Sequence, residues 1–64
     1  MEKETRISIA AENFVERFGD DAPTEALKRA EELRQAGNAD SAATWMRIYD
    51  VVKVLVERGG KVPH

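Results

Sequence analysis

The sequence has no cysteine, a single histidine and two prolines, and its aromatic residues amount to one Trp, one Tyr and two Phe. Without cysteine there is no disulfide or thiolate–metal staple to hold a small fold. Disulfide-free chains suit a reducing compartment, and the expectation here is a cytoplasmic one. No apolar run approaches the roughly 20 residues of a membrane span. The N-terminus, MEKETRISIAAENF, lacks the basic segment and long apolar core of a signal peptide. Charge of one sign is also missing. Ten Lys and Arg stand against twelve Asp and Glu, for a net charge of -2. That balance gives no electrostatic footprint for nucleic acid or for an anionic membrane.

Catalytic equipment is equally sparse. A nucleophile needs a base beside it that a third group orients, and a base must be held within hydrogen-bond reach of its substrate. The only His is His64, the last residue, following Pro63. A terminal residue is poorly placed to hold such geometry, so no enzyme activity and no catalytic residue is expected. Asp20 and Asp21, with Glu16 and Glu25 nearby, could form half of a hard-cation site. Such a site needs several converging oxygens, and the loop lacks alternating ligand spacing. Acidic residues at a helix start explain the pair without a metal. Neither a metal, a cofactor nor a small-molecule ligand is expected. Glu31 and Glu32, among Lys28, Arg29 and Arg34, read as an ordinary ion-paired face.

What is present is helical periodicity. The longest periodic run is residues 41–60, SAATWMRIYDVVKVLVERGG. On a wheel of about 100° per residue, Ile48, Tyr49, Val52, Leu55 and Val56 fall within roughly 80° of Trp45. The opposite face carries Arg47, Asp50, Glu57 and Arg58. The Val-rich segment 51–56 could suggest a strand, but period 2 separates its faces poorly, whereas the 3.6 period holds from Trp45 to the Gly59-Gly60 stop.

An earlier stripe is formed by Ile7, Ala11, Phe14, Val15 and Phe18, with Ala10 beside it. Thr5 or Ser8 is a candidate N-cap, and Gly19 a candidate left-handed stop. Asp20-Asp21-Ala22-Pro23 reads as a turn. Pro23 suits the start of a second helix, whose inner side is small: Ala26, Leu27, Ala30, Leu33. Small residues allow close approach of a neighbouring backbone. On its outer side Glu25–Arg29 and Lys28–Glu32 stand at i, i+4, each worth about 0.3–0.5 kcal/mol. Gly37 closes this helix and Asn38 is placed to cap the next.

The expected fold is therefore all-α: one domain over 1–64, a compact three-helix bundle with helices at 8–19, 23–36 and 39–58 and frayed ends at 1–6 and 59–64. Short links favour antiparallel or steeply crossed neighbours. The expected core is Ala11, Phe14, Val15, Phe18, Ala26, Leu27, Ala30, Leu33, Trp45, Ile48, Tyr49, Val52, Leu55 and Val56. Trp45 and Tyr49 lie at the centre of the apolar stripe, which favours core over ligand stacking. Arg29 or Glu32 is long enough to reach across to the indole or the phenol.

Four short motifs carry a family resemblance: Gly19-Asp20 with Ala22; Arg29-Ala30 with Glu32-Leu33; Gly37-Asn38; and Trp45 with Ile48. Together they resemble a family of short bacterial helical proteins of unknown function, over roughly residues 10–56. The family commonly has Asp after the second Gly, where this chain has Asn38, and both residues cap helices. The resemblance implies a compact helical fold and no particular activity.

Two functional readings remain from the residues themselves. The first is a non-enzymatic protein-interaction module, a homodimer or the partner of another protein, acting through the third helix. Val51, Val54 and Leu55, with Met46, extend the apolar face beyond what one small core requires, and a contiguous apolar patch differs from scattered exposed residues. The alternative for that strip is a wider core, or cover from the tail around Val62. The second reading is a helix-turn-helix DNA-binding regulator, with the third helix as reader. Its leading residues would be Asp40, Ser41, Thr44 and Arg47, a set without a basic excess.

Overall fold

The computed structural model describes the backbone of residues 2–59 and the side chains of residues 5–59. Helix α1 spans Glu2–Phe18. A 3-10 turn, Gly19–Asp21, leads directly into α2, Ala22–Gln35. After Ala36-Gly37-Asn38, α3 spans Ala39–Glu57. Among the described residues every regular element is helical. Helical backbone runs in two uninterrupted stretches, 2–35 and 39–57.

That differs from the expected separation of the first two helices by an open turn. Gly19 has φ +58, which breaks the α1 axis as a left-handed stop should. The residues after it re-enter helical geometry at once, because the backbone N–H of Ala22 donates to the Gly19 carbonyl. The first stretch is thus bent, not interrupted. Helix α1 also begins earlier than expected, so Thr5 and Ser8 lie inside it, not ahead of its first turn. The segment expected to fray, 1–6, is helical from Glu2. Pro23 occupies an early position of α2, where its missing N–H has no helical partner to lose.

The α2–α3 link closes as a Schellman motif. The N–H of Asn38 donates to the Leu33 carbonyl at 2.9 Å and that of Gly37 to Arg34 at 3.1 Å, satisfying two orphan carbonyls. Gly37 supplies the required φ, +83. Asn38 then stands at the N-cap of α3, where its carbonyl accepts from Ala42 at 3.0 Å. Its side chain makes no capping bond.

Helix α3 packs most extensively on α2 and next on α1, whereas α1 and α2 touch little. The Cα trace measures 34 × 27 × 15 Å. Fifteen ångströms is the thickness of two helix layers, since interaxial spacing is about 8–10 Å and the Cα radius about 2.3 Å. So α1 and α2 diverge in one layer and α3 lies across them in the other. The radius of gyration, 11.3 Å, is close to the roughly 11 Å of a compact chain of this length.

The main core joins Ile7, Ala11 and Val15 of α1, Ala22 of α2, and Ile48, Val52 and Leu55 of α3. Phe14, Phe18, Trp45, Val51 and Val56 pack against it half-buried. Between α2 and α3 the buried residues are alanines: Ala26, Ala30 and Ala42. Those side chains allow the two backbones to approach. Leu27, expected in the core, is instead 39% exposed. The buried stripe of α2 runs Ala22-Ala26-Ala30 at i, i+4, i+8, and Leu27 is turned about 100° from Ala26. Leu33 and Tyr49 are half-buried at the margin, while Ile7, Ala22 and Ala42 join the buried set.

Candidate functional site

Of the four interface candidates on α3, Leu55 is 6% exposed and belongs to the core. Val51 is half-buried against that core. Val54 and Met46 remain open to solvent, at 45% and 41%. The apolar strip expected along Val51-Val54-Leu55 is therefore split. Its inner two members seal α3 onto α1, and only its outer member is accessible.

Helix position explains the split. The residues α3 buries most, Ile48, Val52 and Leu55, share one side of the wheel. The opposite side presents Ala43, Met46, Arg47, Asp50, Lys53, Val54 and Glu57, all exposed. Because α3 occupies its layer alone, no neighbouring helix covers that side among the described residues. This outer face is the candidate site.

Beside it, a shallow groove between α1 and α3 is lined by Ile7, Ser8, Arg47, Asp50 and Val51, with a volume of about 390 Å³. Ile7 and Val51 are its apolar lining, and Arg47 and Asp50 its charged lining. A second depression, at the start of α3, is lined by Asp40, Ala43, Thr44 and Arg47. There Thr44 Oγ1 donates to the Asp40 carbonyl at 3.1 Å, so the hydroxyl is engaged by its own helix.

The aromatic residues form a separate cluster. The Phe14 and Phe18 rings lie 4.6 Å apart, centroid to centroid, and Phe14 meets Trp45 at 5.3 Å with an interplanar angle of 67°. That is the edge-to-face geometry aromatic quadrupoles favour. Arg29 reaches Trp45 from α2, with its guanidinium carbon 5.9 Å from the ring centroid. Of the two long side chains that could have crossed to the indole, Arg29 is the one that does. It makes no ion pair with Glu25; on α2 the close pair is instead Arg34 with Glu31, at 2.9 Å. A small hollow near this cluster is lined by Phe14, Phe18, Glu25, Lys28, Arg29 and Glu32. Two carboxylates and two cations on its edge give it no preference for either charge.

Among the described residues no group of His, Cys, Asp and Glu is placed to hold a metal ion, and no helix is long and apolar enough to cross a membrane. His64 and Val62 lie outside the described residues. The start of α3 brings Arg47 together with Asp40 and Asp50, so no basic stripe forms on the helix that would read DNA.

Sequence reasoning missed two features. Ile9, 52% exposed, is the most open large apolar residue on α1, and its offset of about 200° from Ile7 on the wheel would have shown it. The ordered charges around Asp50 were seen only as a polar face, though their spacing is plain in MRIYDVVKV. Comparison with known proteins gives no match to this chain in any family model, any curated protein or any solved structure.

Proposed function

We propose that this chain is a small non-enzymatic protein-interaction module that works through the outer face of α3. One observation carries the reading: Met46 and Val54 are both open to solvent on a helix whose other side closes the core. Two sizeable apolar side chains on one unpartnered helix face support reading it as a contact surface. The groove beside them adds the half-buried Val51 as apolar lining. In this reading α1, α2 and α3 act as an open three-helix bundle, in which α1 and α2 carry α3 and α3 makes the contact. The same reading places the protein in the cytoplasm, where a cysteine-free chain meets no redox demand.

Sedimentation or light scattering of the wild type and of Val54→Glu, with a tagged pull-down of each, tests the proposal. Self-association or partner capture that Val54→Glu abolishes is expected. A monomeric wild type that captures no partner, with a variant that behaves identically, would sink it.

A further inference from the structure

The outer face of α3 has an internal symmetry about Asp50. Val54 follows Asp50 by four positions and Met46 precedes it by four; Lys53 follows by three and Arg47 precedes by three. On the wheel Met46 and Val54 lie about 40° to either side of Asp50, and Arg47 and Lys53 about 60° to either side. Asp50 itself points almost straight away from the buried side formed by Ile48, Val52 and Leu55. Read along the helix, the face runs apolar, basic, acidic, basic, apolar, and all five side chains are exposed.

We infer that the partner of this face is a second copy of the chain, with the two α3 helices antiparallel across a two-fold axis beside Asp50. The inference rests on the interaction reading above and names its occupant. A two-fold contact is self-complementary, so each patch must suit its own reverse. Reversal brings Met46 of one copy level with Val54 of the other, apolar against apolar. It brings the two Asp50 carboxylates to the centre, flanked by Arg47 and Lys53 from both helices. Two anions then sit among four cations, whose aliphatic stems lie along the apolar pairs. Other registers lose this match. A shift by one turn sets Val54 or Met46 of each copy level with the Asp50 of the other, apolar against charged. Charge order of this kind fixes register and orientation. The five side chains are open to solvent, and on one flank Arg47 and Asp50 border the groove that Ile7 and Ser8 of α1 share with α3.

Single-cysteine cross-linking tests this on the full chain, which has no cysteine of its own. With helix axes about 8–10 Å apart, the two Asp50 Cα atoms come within disulfide range. Two Ala43 Cα atoms would stand about 20 Å apart, since each lies seven residues from the axis. Under mild oxidation Asp50→Cys should cross-link about tenfold faster than Ala43→Cys, because only the former meets the distance requirement. Adding Val54→Glu should remove that advantage. In sedimentation, Asp50→Lys should weaken the dimer about tenfold by replacing the two central anions with cations. Circular dichroism of each variant serves as the control for folding.

A dimer in which Ala43→Cys cross-links as fast as Asp50→Cys, or in which Asp50→Lys has no effect, overturns the two-fold placement while leaving α3 as a contact surface. A wild type that stays monomeric yet captures another protein in a Val54-dependent way overturns the second copy and leaves the interaction reading intact. A monomer that captures nothing overturns both.

Discussion

Arg29 of α2 places its guanidinium carbon 5.9 Å from the centroid of the Trp45 ring on α3. The same indole meets Phe14 of α1 edge-on at 5.3 Å. Trp45 is therefore the joint at which all three helices meet. It matters because α1 and α2 hardly touch each other. What holds them in one arrangement is their shared contact with α3.

Removing the Arg29 contact should loosen that joint slightly. Arg29→Ala is expected to cost about 0.5–1 kcal/mol, the range of a cation–π contact at an exposed site. Arg29→Lys should fall between the two, because an ammonium lacks the planar stacking face. Urea denaturation followed by Trp45 fluorescence measures the difference. Equal midpoints for all three proteins would show that the contact contributes nothing.

Phe14→Ala should be far more damaging. It removes the edge-to-face contact with Trp45, the 4.6 Å contact with Phe18 and part of the apolar cover over the core. Phe14 is half-buried, so a loss of about 2–4 kcal/mol is expected, at or below the usual range for a core Phe. Trp45 emission should shift to the red as water reaches the ring. An unshifted spectrum in a folded variant would contradict the joint.

At the α2–α3 link, Gly37→Ala tests the Schellman closure without steric complication. A Cβ built at Gly37 meets nothing within 4 Å, so any loss comes from the backbone at φ +83. About 1–2 kcal/mol is expected, the cost of left-handed geometry for an L-residue. Thermal unfolding by circular dichroism would show it, and an unchanged midpoint would mean that the turn relaxes freely.

Much of this architecture was legible in the sequence because its signals are local. Gly37 stops a helix and Gly19 bends one at the positions their backbone freedom suggests, and the 3.6 period from Trp45 to Val56 marks the side of α3 that is buried. The outer edge of α3 was legible in outline, through Val54 and Met46. The missing information was tertiary. Whether Leu55 lies in the core or on a surface strip depends on where α1 crosses α3, and no period encodes a crossing. The bend at Gly19 depends on the re-entry of Asp20 and Asp21 into helical geometry, which a turn-forming pair conceals. The largest error of that kind concerns α2.

On α2 a wheel weighted by side-chain size selects Leu27 and Leu33 as the anchors. The structure selects the alanines. Ala22, Ala26 and Ala30 are buried to 2% exposure or less, and Leu27 is 39% exposed. A helix that approaches another closely gains its dispersion contacts through backbone and Cβ atoms, and a large side chain at the crossing would hold the axes apart. Two substitutions therefore invert the intuition drawn from hydrophobicity. Leu27→Ala deletes three heavy atoms from a largely open side chain and improves helix propensity, so it should change stability by less than about 1 kcal/mol. Ala30→Leu adds apolar volume where none fits, and should cost about 3 kcal/mol through displaced backbone and strained rotamers. In a chain of this size, whose whole stability is on the order of 3–5 kcal/mol, that loss would leave much of the protein unfolded at room temperature. Circular dichroism and urea titration of the pair decide the matter. A stable Ala30→Leu beside a destabilised Leu27→Ala would mean that α2 meets α3 through its leucines.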